Sequence, residues 1–256
     1  MSEVPAAPPV TVQPLPPGQS FVARFLGVLT SPKATFADVA ARPRWFGMIA
    51  ALVIVGIVAG TALMATDVGR LAALDAARNG LNQVKSLGIS MPPEAEARME
   101  SEIMEMPLWR MGLSASLGQI VRGVLPPLCM AGVFFLIFNV MLGGEATFKQ
   151  MFATVVHANP VMVVGVLFTM PLMYFRGSMT GVTNLGVFVP MLDESSFVAT
   201  LLGSVDLIRV WWVIVLATGL SVLYKRKTGP IATALFVVYG IYAVIIAAVT
   251  AGRAGA

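Results

Sequence analysis

The sequence is poor in charge and in the residues that most often carry catalysis. Only 12% of its 256 residues are charged, and it contains one histidine and one cysteine. A single imidazole excludes a metalloprotease site of the H-E-x-x-H type, and a single cysteine excludes an intrachain disulfide. No glycine-rich loop has the spacing of a phosphate-binding motif. We therefore expect no enzyme, catalytic residue, cofactor or metal site, and no nucleic-acid partner.

Apolar sequence, in contrast, is abundant. Hydrophobic residues make up 57% of the chain. A helix needs about 20 mostly apolar residues to cross a bilayer. The sequence predicts an all-α fold: a polytopic transmembrane helical bundle surrounded by lipid, in a multi-pass integral membrane protein. Five stretches are long enough to span, at about residues 45–65, 123–142, 151–175, 207–224 and 231–250.

Two charged features suggest how the chain is oriented. Residues 1–20 hold six prolines and lack the features of a signal peptide, so they are predicted to be a disordered tail. Cations precede the first span, and Lys225, Arg226 and Lys227 follow the fourth, on the same side. The positive-inside rule then predicts a cytoplasmic amino terminus and an outer carboxyl terminus, at the inner membrane if the host is a bacterium.

The segment 66–112 is predicted to be an acidic, helical outer loop. Its second helix is expected to begin after Pro93, with glutamates in its first turn. We favour a solvated helix face over an acidic surface for a cationic partner. Met99, Met104 and Met106 have a spacing found in copper(I) thioether clusters, but in a methionine-rich chain we do not favour a metal site.

The tripeptide Ala-Thr-Phe occurs at 34–36 and again at 146–148. In both copies the threonine is followed at the third position by Asp38 or Gln150, the spacing of a capping box. Ser31 before Pro32 is a competing start for the first helix. The second copy is expected to continue into the third span and to be kinked at Pro160.

The first copy predicts a short cytoplasmic interfacial helix. Its apolar side, including Phe36, would face the acyl chains, while its cations face lipid phosphates. Pro43 would end the helix and Trp45 would mark the membrane surface. The predicted interfacial element comprises Thr35, Phe36, Asp38, Pro43 and Trp45.

Polar residues within the spans form a second group of candidates. Arg122 is predicted at the outer end of span two and Arg209 near the outer end of span four, where each could reach water or pair with Asp206. We favour anchoring over an anionic headgroup site built from both arginines. His157 and Asn159 lie beside Pro160, with a local structural role favoured over a proton or ligand site.

Two further features concern contacts between helices. Asn139 lies near the same predicted cytoplasmic boundary, from which it could hydrogen-bond to His157 and Asn159. Stripes of small residues would let helices approach closely, either inside the bundle or in a homo-oligomer. These stripes are Gly56 and Gly60 in the first span and Ala243, Ala247 and Ala251 in the last.

Two segments carry a resemblance to a known family. "FLGVLTSPKATFADVAARPRWFGMI" resembles the opening of bacterial Yip1-domain membrane proteins, and "GGEATFKQMFATVVHANPVMVV" is similar to their central segment. The resemblance extends over about residues 21–250. It implies a helical bundle without catalytic chemistry. Eukaryotic members are associated with Rab GTPases, but their "DLYGP"-type motif is absent here, so GTPase binding is not carried over.

The function expected from these features is that of a non-enzymatic interaction or membrane-organising module of the Yip1 type. Its partner would be an unidentified membrane or cytoplasmic protein. The alternative is a small-solute transporter or permease subunit that uses the proline-interrupted spans two and three.

Overall fold

The structure is a computed structural model that describes residues 17–86, 88–177, 181–193 and 196–254. Most of the predicted disordered tail lies outside this part of the chain. Apart from one isolated β-bridge, the regular structure described is helical, as predicted. The α-helices are α1 Phe21–Thr30, α2 Pro32–Ala41, α3 Phe46–Met64, α4 Asp67–Ser86, α5 Pro93–Glu105, α6 Leu108–Phe135, α7 Phe148–Ala158, α8 Pro160–Arg176, α9 Phe197–Ser204, α10 Leu207–Leu223 and α11 Thr228–Ala254.

Four helical segments of the described chain are long and apolar enough to cross a membrane. They are Phe46–Met64, Leu108–Met141, Phe148–Arg176 and Thr228–Gly252. The predicted fourth span corresponds to α10, an apolar helix of 17 residues. The chain is therefore a polytopic helical membrane protein.

Helix α6 begins at Leu108 rather than near Gly123. Met106 precedes Pro107 and has an extended backbone, with ψ of 126°, because the proline ring disfavours a helical conformation before it. The helix can therefore restart only after Pro107. It continues through Pro126 and Pro127 and ends in a π-helical segment, Leu136–Met141.

The helices define two ends of the bundle. At the hairpin end, α1 and α2 pack beside the first turns of α3 and α7 and the last turns of α10. At the loop end, α4 and α5 follow α3. Helix α5 begins at Pro93, one residue before the predicted start, and has Glu94 and Glu96 in its first turn.

The core is concentrated at the hairpin end. All eight residues of Met151–Ala158 in α7 are buried, as are Val28 of α1 and Val39 of α2. In contrast, only 11% of the residues in the most apolar 18-residue stretch of α3 are buried, and 17% of those in the corresponding stretch of α11. In lipid, apolar side chains gain little by leaving the acyl chains, so such helices need only a narrow contact face.

Part of each small-residue stripe packs within the chain. A Cβ atom at Gly56 would overlap the Gln119 side chain of α6, so this glycine permits the close packing of α3 on α6. Ala243 and Ala247 of α11 are buried, and α9 and α10 both pack on that helix. These contacts serve the bundle itself.

Candidate functional site

The two ten-residue helices α1 and α2 form a tight hairpin with Ser31 alone between them. The Ser20 hydroxyl caps α1 by accepting from the amide of Ala23 at 3.2 Å. Pro32 is the first residue of α2, a position that suits its fixed φ and missing N–H. Helix α2 ends at Ala41, before Pro43, which confirms the predicted break.

Of the two predicted starts of α2, the structure has the one at Ser31 and Pro32, and Thr35 does not cap the helix. Because Pro32 starts the helix, Thr35 lies inside α2, fully buried, and its hydroxyl donates to the carbonyl of Ser31 at 3.1 Å. A Cβ atom at Gly27 of α1 would overlap Thr35 Oγ1. Thr35 therefore packs directly on Gly27, an approach of α1 and α2 that requires glycine on the facing helix.

An ion pair joins the two helices of the hairpin. Arg24 of α1 is 2% exposed, and its Nε donates to Asp38 Oδ2 of α2 at 2.8 Å. Arg42 Nη1 donates to the other carboxylate oxygen at 2.9 Å. Arg24 Nη2 donates to the carbonyl of Arg42 at 3.0 Å. One carboxylate therefore holds two guanidinium groups, and Arg24 also fastens the end of α2.

This arrangement changes the acidity of Asp38. Burial by itself raises the pKa of the carboxyl, but the hydrogen bonds and positive charge of Arg24 oppose it, with help from the Gln19 amide and Arg42. The pKa of Asp38 is lowered as a result. The carboxylate is therefore ionised at neutral pH, as the ion pair requires.

Helix α1 buries its charged residue and exposes several of its apolar residues. Arg24, Gly27 and Val28 form the buried face. On the other face, Val22 is 60% exposed and Leu26 is 54% exposed. In water this polarity would be unfavourable, but it suits a helix whose outer face contacts acyl chains.

Phe36 does not face the acyl chains as predicted. It is 1% exposed and packs in the core, where a Cβ atom at Gly219 of α10 would come within 2.8 Å of both Phe36 and Thr154. Tertiary packing against α7 and α10 buries more of this ring than a membrane surface would. Trp45 is also half-buried, with its ring edge-on to Phe152 at 5.2 Å between centroids.

The second copy of Ala-Thr-Phe forms the predicted capping box. Thr147 Oγ1 accepts from the amide of Gln150 at 3.3 Å, and Gln150 Oε1 accepts from the amide of Thr147 at 2.8 Å. The Gln150 side chain also donates to the carbonyl of Ala40 in α2 at 2.9 Å. The helices that contain the two copies, α2 and α7, therefore pack against each other.

The polar residues His157, Asn159 and Asn139 do not form one site. His157 Nδ1 donates to the carbonyl of Ala153 at 2.8 Å, inside α7. Asn159 lies at the break between α7 and α8, which confirms the interruption at Pro160, and it accepts from Trp212 Nε1 at 3.0 Å. Asn139 instead accepts from the Tyr224 hydroxyl at 2.6 Å. Each of the three polar side chains therefore has a different hydrogen-bond partner.

The charges predicted at the outer interface are also separated. Asp206 caps α10 by accepting from the backbone amide of Arg209 at 2.9 Å, and its other oxygen accepts from the Thr183 hydroxyl. Arg122 donates from Nε to the carbonyl of Gly118 at 3.2 Å, within its own helix. Arg122 and Arg209 are not drawn together into a shared site.

Sequence reasoning missed the residues that join these elements, above all Arg24, Trp212 and Tyr224. The spacing does put Arg24 on the same helical face as Gly27 and Val28, three and four positions later, but it does not show that this face is buried. Nothing local indicated the partners of Trp212 and Tyr224. Within the described residues, no group of three His, Cys, Asp or Glu side chains is placed to hold a metal ion.

These features define the class of the molecule: a polytopic helical membrane protein whose amino-terminal hairpin packs into one end of the bundle. Residues 26–250 match the Yip1 domain, and the chain belongs to the Yip1-domain family. Members of this family are generally non-enzymatic membrane trafficking proteins. Comparisons with curated proteins and with solved structures give no significant match.

Proposed function

We propose that the protein is a non-enzymatic membrane-organising module that places its α1–α2 hairpin in one leaflet of the bilayer. The observation that carries this proposal is the polarity of α1. Its cation is inside, paired with Asp38, and Val22 and Leu26 are more than half exposed on the outside. A helix with this outer face lies among the acyl chains near the headgroups.

The hairpin also has the rigidity that such a role needs. Val28, Phe36 and Val39 belong to the main core together with residues of α7 and α10. These side chains are close-packed against the two bundle helices, and such packing resists displacement of the hairpin. The core therefore holds the outer face of α1 in a fixed position. Lipid that α1 displaces is then displaced from one leaflet only.

We assign the hairpin to the cytoplasmic leaflet. The exposed cations Lys225, Arg226 and Lys227 lie at the same end of the bundle, where Arg226 Nη2 donates to the carbonyl of Leu142 at 3.2 Å. Clustered cations in short loops favour the cytoplasmic side. A membrane or cytoplasmic protein partner remains a prediction for this end, which a pull-down from native membranes would test.

The alternative of a small-solute carrier has less support. It depends on Asn139, His157 and Asn159 lining a common path through interrupted spans. In the structure Asn139 pairs with Tyr224, whereas Asn159 pairs with Trp212. The single break at Asn159 does not by itself favour transport.

The experiment compares vesicle shape for wild type and for the double variant Val22→Gln, Leu26→Gln after reconstitution into liposomes. Both positions are on the exposed face of α1, so the bundle should melt at the same temperature. We expect wild type to increase membrane curvature in cryo-electron micrographs and the variant to do so much less.

A matched control changes exposed apolar residues on α4, with Leu71→Gln and Val84→Gln. These positions lie at the loop end, so this variant should behave as wild type does. The proposal is contradicted if the α1 variant, still folded, deforms vesicles as strongly as wild type.

A further inference from the structure

Two cavities meet at Arg122 inside the bundle. One, of about 270 Å³, lies between α3, α6, α7, α8 and α10 and is lined mainly by apolar side chains such as Val55, Pro127 and Val163. The other, of about 300 Å³, lies between α3, α4, α5 and α6 and is lined by Arg70 and Ser114 among others. Arg122 lines both cavities.

Arg122 is well inside the apolar segment of the bundle. Gly123 lies against Val53, where an added Cβ atom would be 2.7 Å from its side chain, and Gly56 lies against Gln119. Gly56 is eight residues from the end of α3 at Met64, or ~12 Å at the helical rise. The helix that contains Arg122 begins at Leu108, so Arg122 lies inside α6 and not at a helix end.

A cation at this depth needs a partner, because hydrocarbon does not solvate it. Arg122 donates to the carbonyl of Gly118, and Arg70 donates to the carbonyl of Met104. Among the described residues that line the two cavities, none is acidic. Two of the glutamates of α5, Glu96 and Glu100, are paired with Lys85 and Arg78 of α4. Arg70 and Arg122 therefore share the cavity of about 300 Å³, and no acidic side chain among its described lining residues neutralises them.

We propose that the joined cavities bind one acidic glycerophospholipid. Its anionic headgroup would lie between Arg70 and Arg122, and an acyl chain would fill the apolar cavity beside Pro127 and Val163. Along the cavities, two cationic side chains are followed by an apolar cavity. A lipid has the same order, an anionic headgroup followed by an apolar chain, whereas a small anion has no apolar part. Arg122 and Pro126 are exposed, so the apolar cavity opens at the side of the bundle.

Native mass spectrometry of the purified full-length protein tests this directly. The protein is incubated in detergent with phosphatidylglycerol or with phosphatidylcholine of the same acyl chains, and the lipids retained per chain are counted. We expect one phosphatidylglycerol per wild-type chain and little phosphatidylcholine. Arg122→Gln and Arg70→Gln should each weaken phosphatidylglycerol retention by about tenfold or more, since each removes a charged hydrogen-bond donor.

The matched control is Arg209→Gln, which removes an exposed arginine that lines neither cavity. This variant should retain phosphatidylglycerol as wild type does. If Arg122→Gln fails to fold, the test relies on Arg70→Gln, which changes the cavity of about 300 Å³.

Three results would overturn the proposal. Equal retention of the two lipids by wild type would show that the headgroup charge does not determine binding. An equal loss of phosphatidylglycerol retention in Arg209→Gln and in the folded cavity variants would show that the lipid does not bind in these cavities. Competition by glycerol phosphate, which has the headgroup anion but no acyl chain, at the same concentration as phosphatidylglycerol would show a site for small anions. None of these results depends on the effect of α1 on vesicle shape.

Discussion

The α1–α2 and α4–α5 hairpins are each closed by an arginine–carboxylate pair 2.7 Å apart, Arg24–Asp38 in the first and Arg78–Glu100 in the second. The two pairs differ in their surroundings. The side chains are 3% and 11% exposed in the first pair, but 49% and 37% exposed in the second. Similar chemistry therefore joins one hairpin in the core and another at a solvated surface.

The difference in exposure decides what each pair contributes. An exposed pair is nearly as well solvated when broken, so it stabilises little. When a buried pair loses one partner, the remaining charge stays out of water and destabilises the fold strongly. The first hairpin should therefore depend on its ion pair and the second should not.

The largest expected effect is that of Asp38→Asn. It leaves Arg24 and Arg42 without their carboxylate, and the loss of one partner of a buried pair costs about 3–5 kcal/mol. Thermal melting in detergent should show a clear decrease of the midpoint or a loss of folded protein. A midpoint within error of wild type would mean that the burial of the pair has no energetic consequence.

A second comparison uses one glycine from each hairpin. Gly27→Ala should destabilise the protein by about 1–3 kcal/mol, because the new methyl group overlaps Thr35 Oγ1 and forces α1 away from α2. An added Cβ atom at Gly80 of α4 would meet no other part of the described chain within 4 Å outside its own helix turn, so Gly80→Ala should stabilise α4 by about 0.5–1 kcal/mol. Melting midpoints that move in the same direction for both variants would contradict the difference in packing.

The third prediction concerns pH. The pKa of Asp38 is lower in the folded protein than in the unfolded chain, where it is about 3.9. Its ion pair therefore stabilises the fold fully above about pH 4, and that stabilisation is lost as the pH falls through the folded pKa. The difference in melting midpoint between wild type and Asp38→Asn should shrink below about pH 4. A difference that stays constant to lower pH would show that ionisation of Asp38 is not its source.

The smallest effect is expected for Glu100→Gln. The Arg78 guanidinium holds the pKa of Glu100 below its usual range, but both groups remain in contact with water. We expect no resolvable change in melting midpoint, at low or at high salt, by the same measurement. A decrease as large as that of Asp38→Asn would remove the distinction between the two hairpins.

The two Ala-Thr-Phe copies show how far local rules reach. Thr147 follows a loop, so its capping box forms as the spacing predicts. Thr35 has the same spacing, but Ser31 and Pro32 start the helix first, and the threonine becomes an interior residue facing Gly27. A cap can be predicted where no competing start precedes it, whereas the burial of Phe36 depends on α7 and α10, which are distant in sequence.

By itself the sequence determined the helical class, the apolar segments, the breaks at Pro43 and Pro160 and a helix start next to Pro93. These features follow from composition and from the backbone limits of proline, which act within a few residues. Only the tertiary structure decided which face of α1 is buried, which residues accept from Trp212 and Tyr224, and how deep Arg122 lies. Those outcomes depend on how helices far apart in sequence pack and align, and no local spacing encodes that alignment.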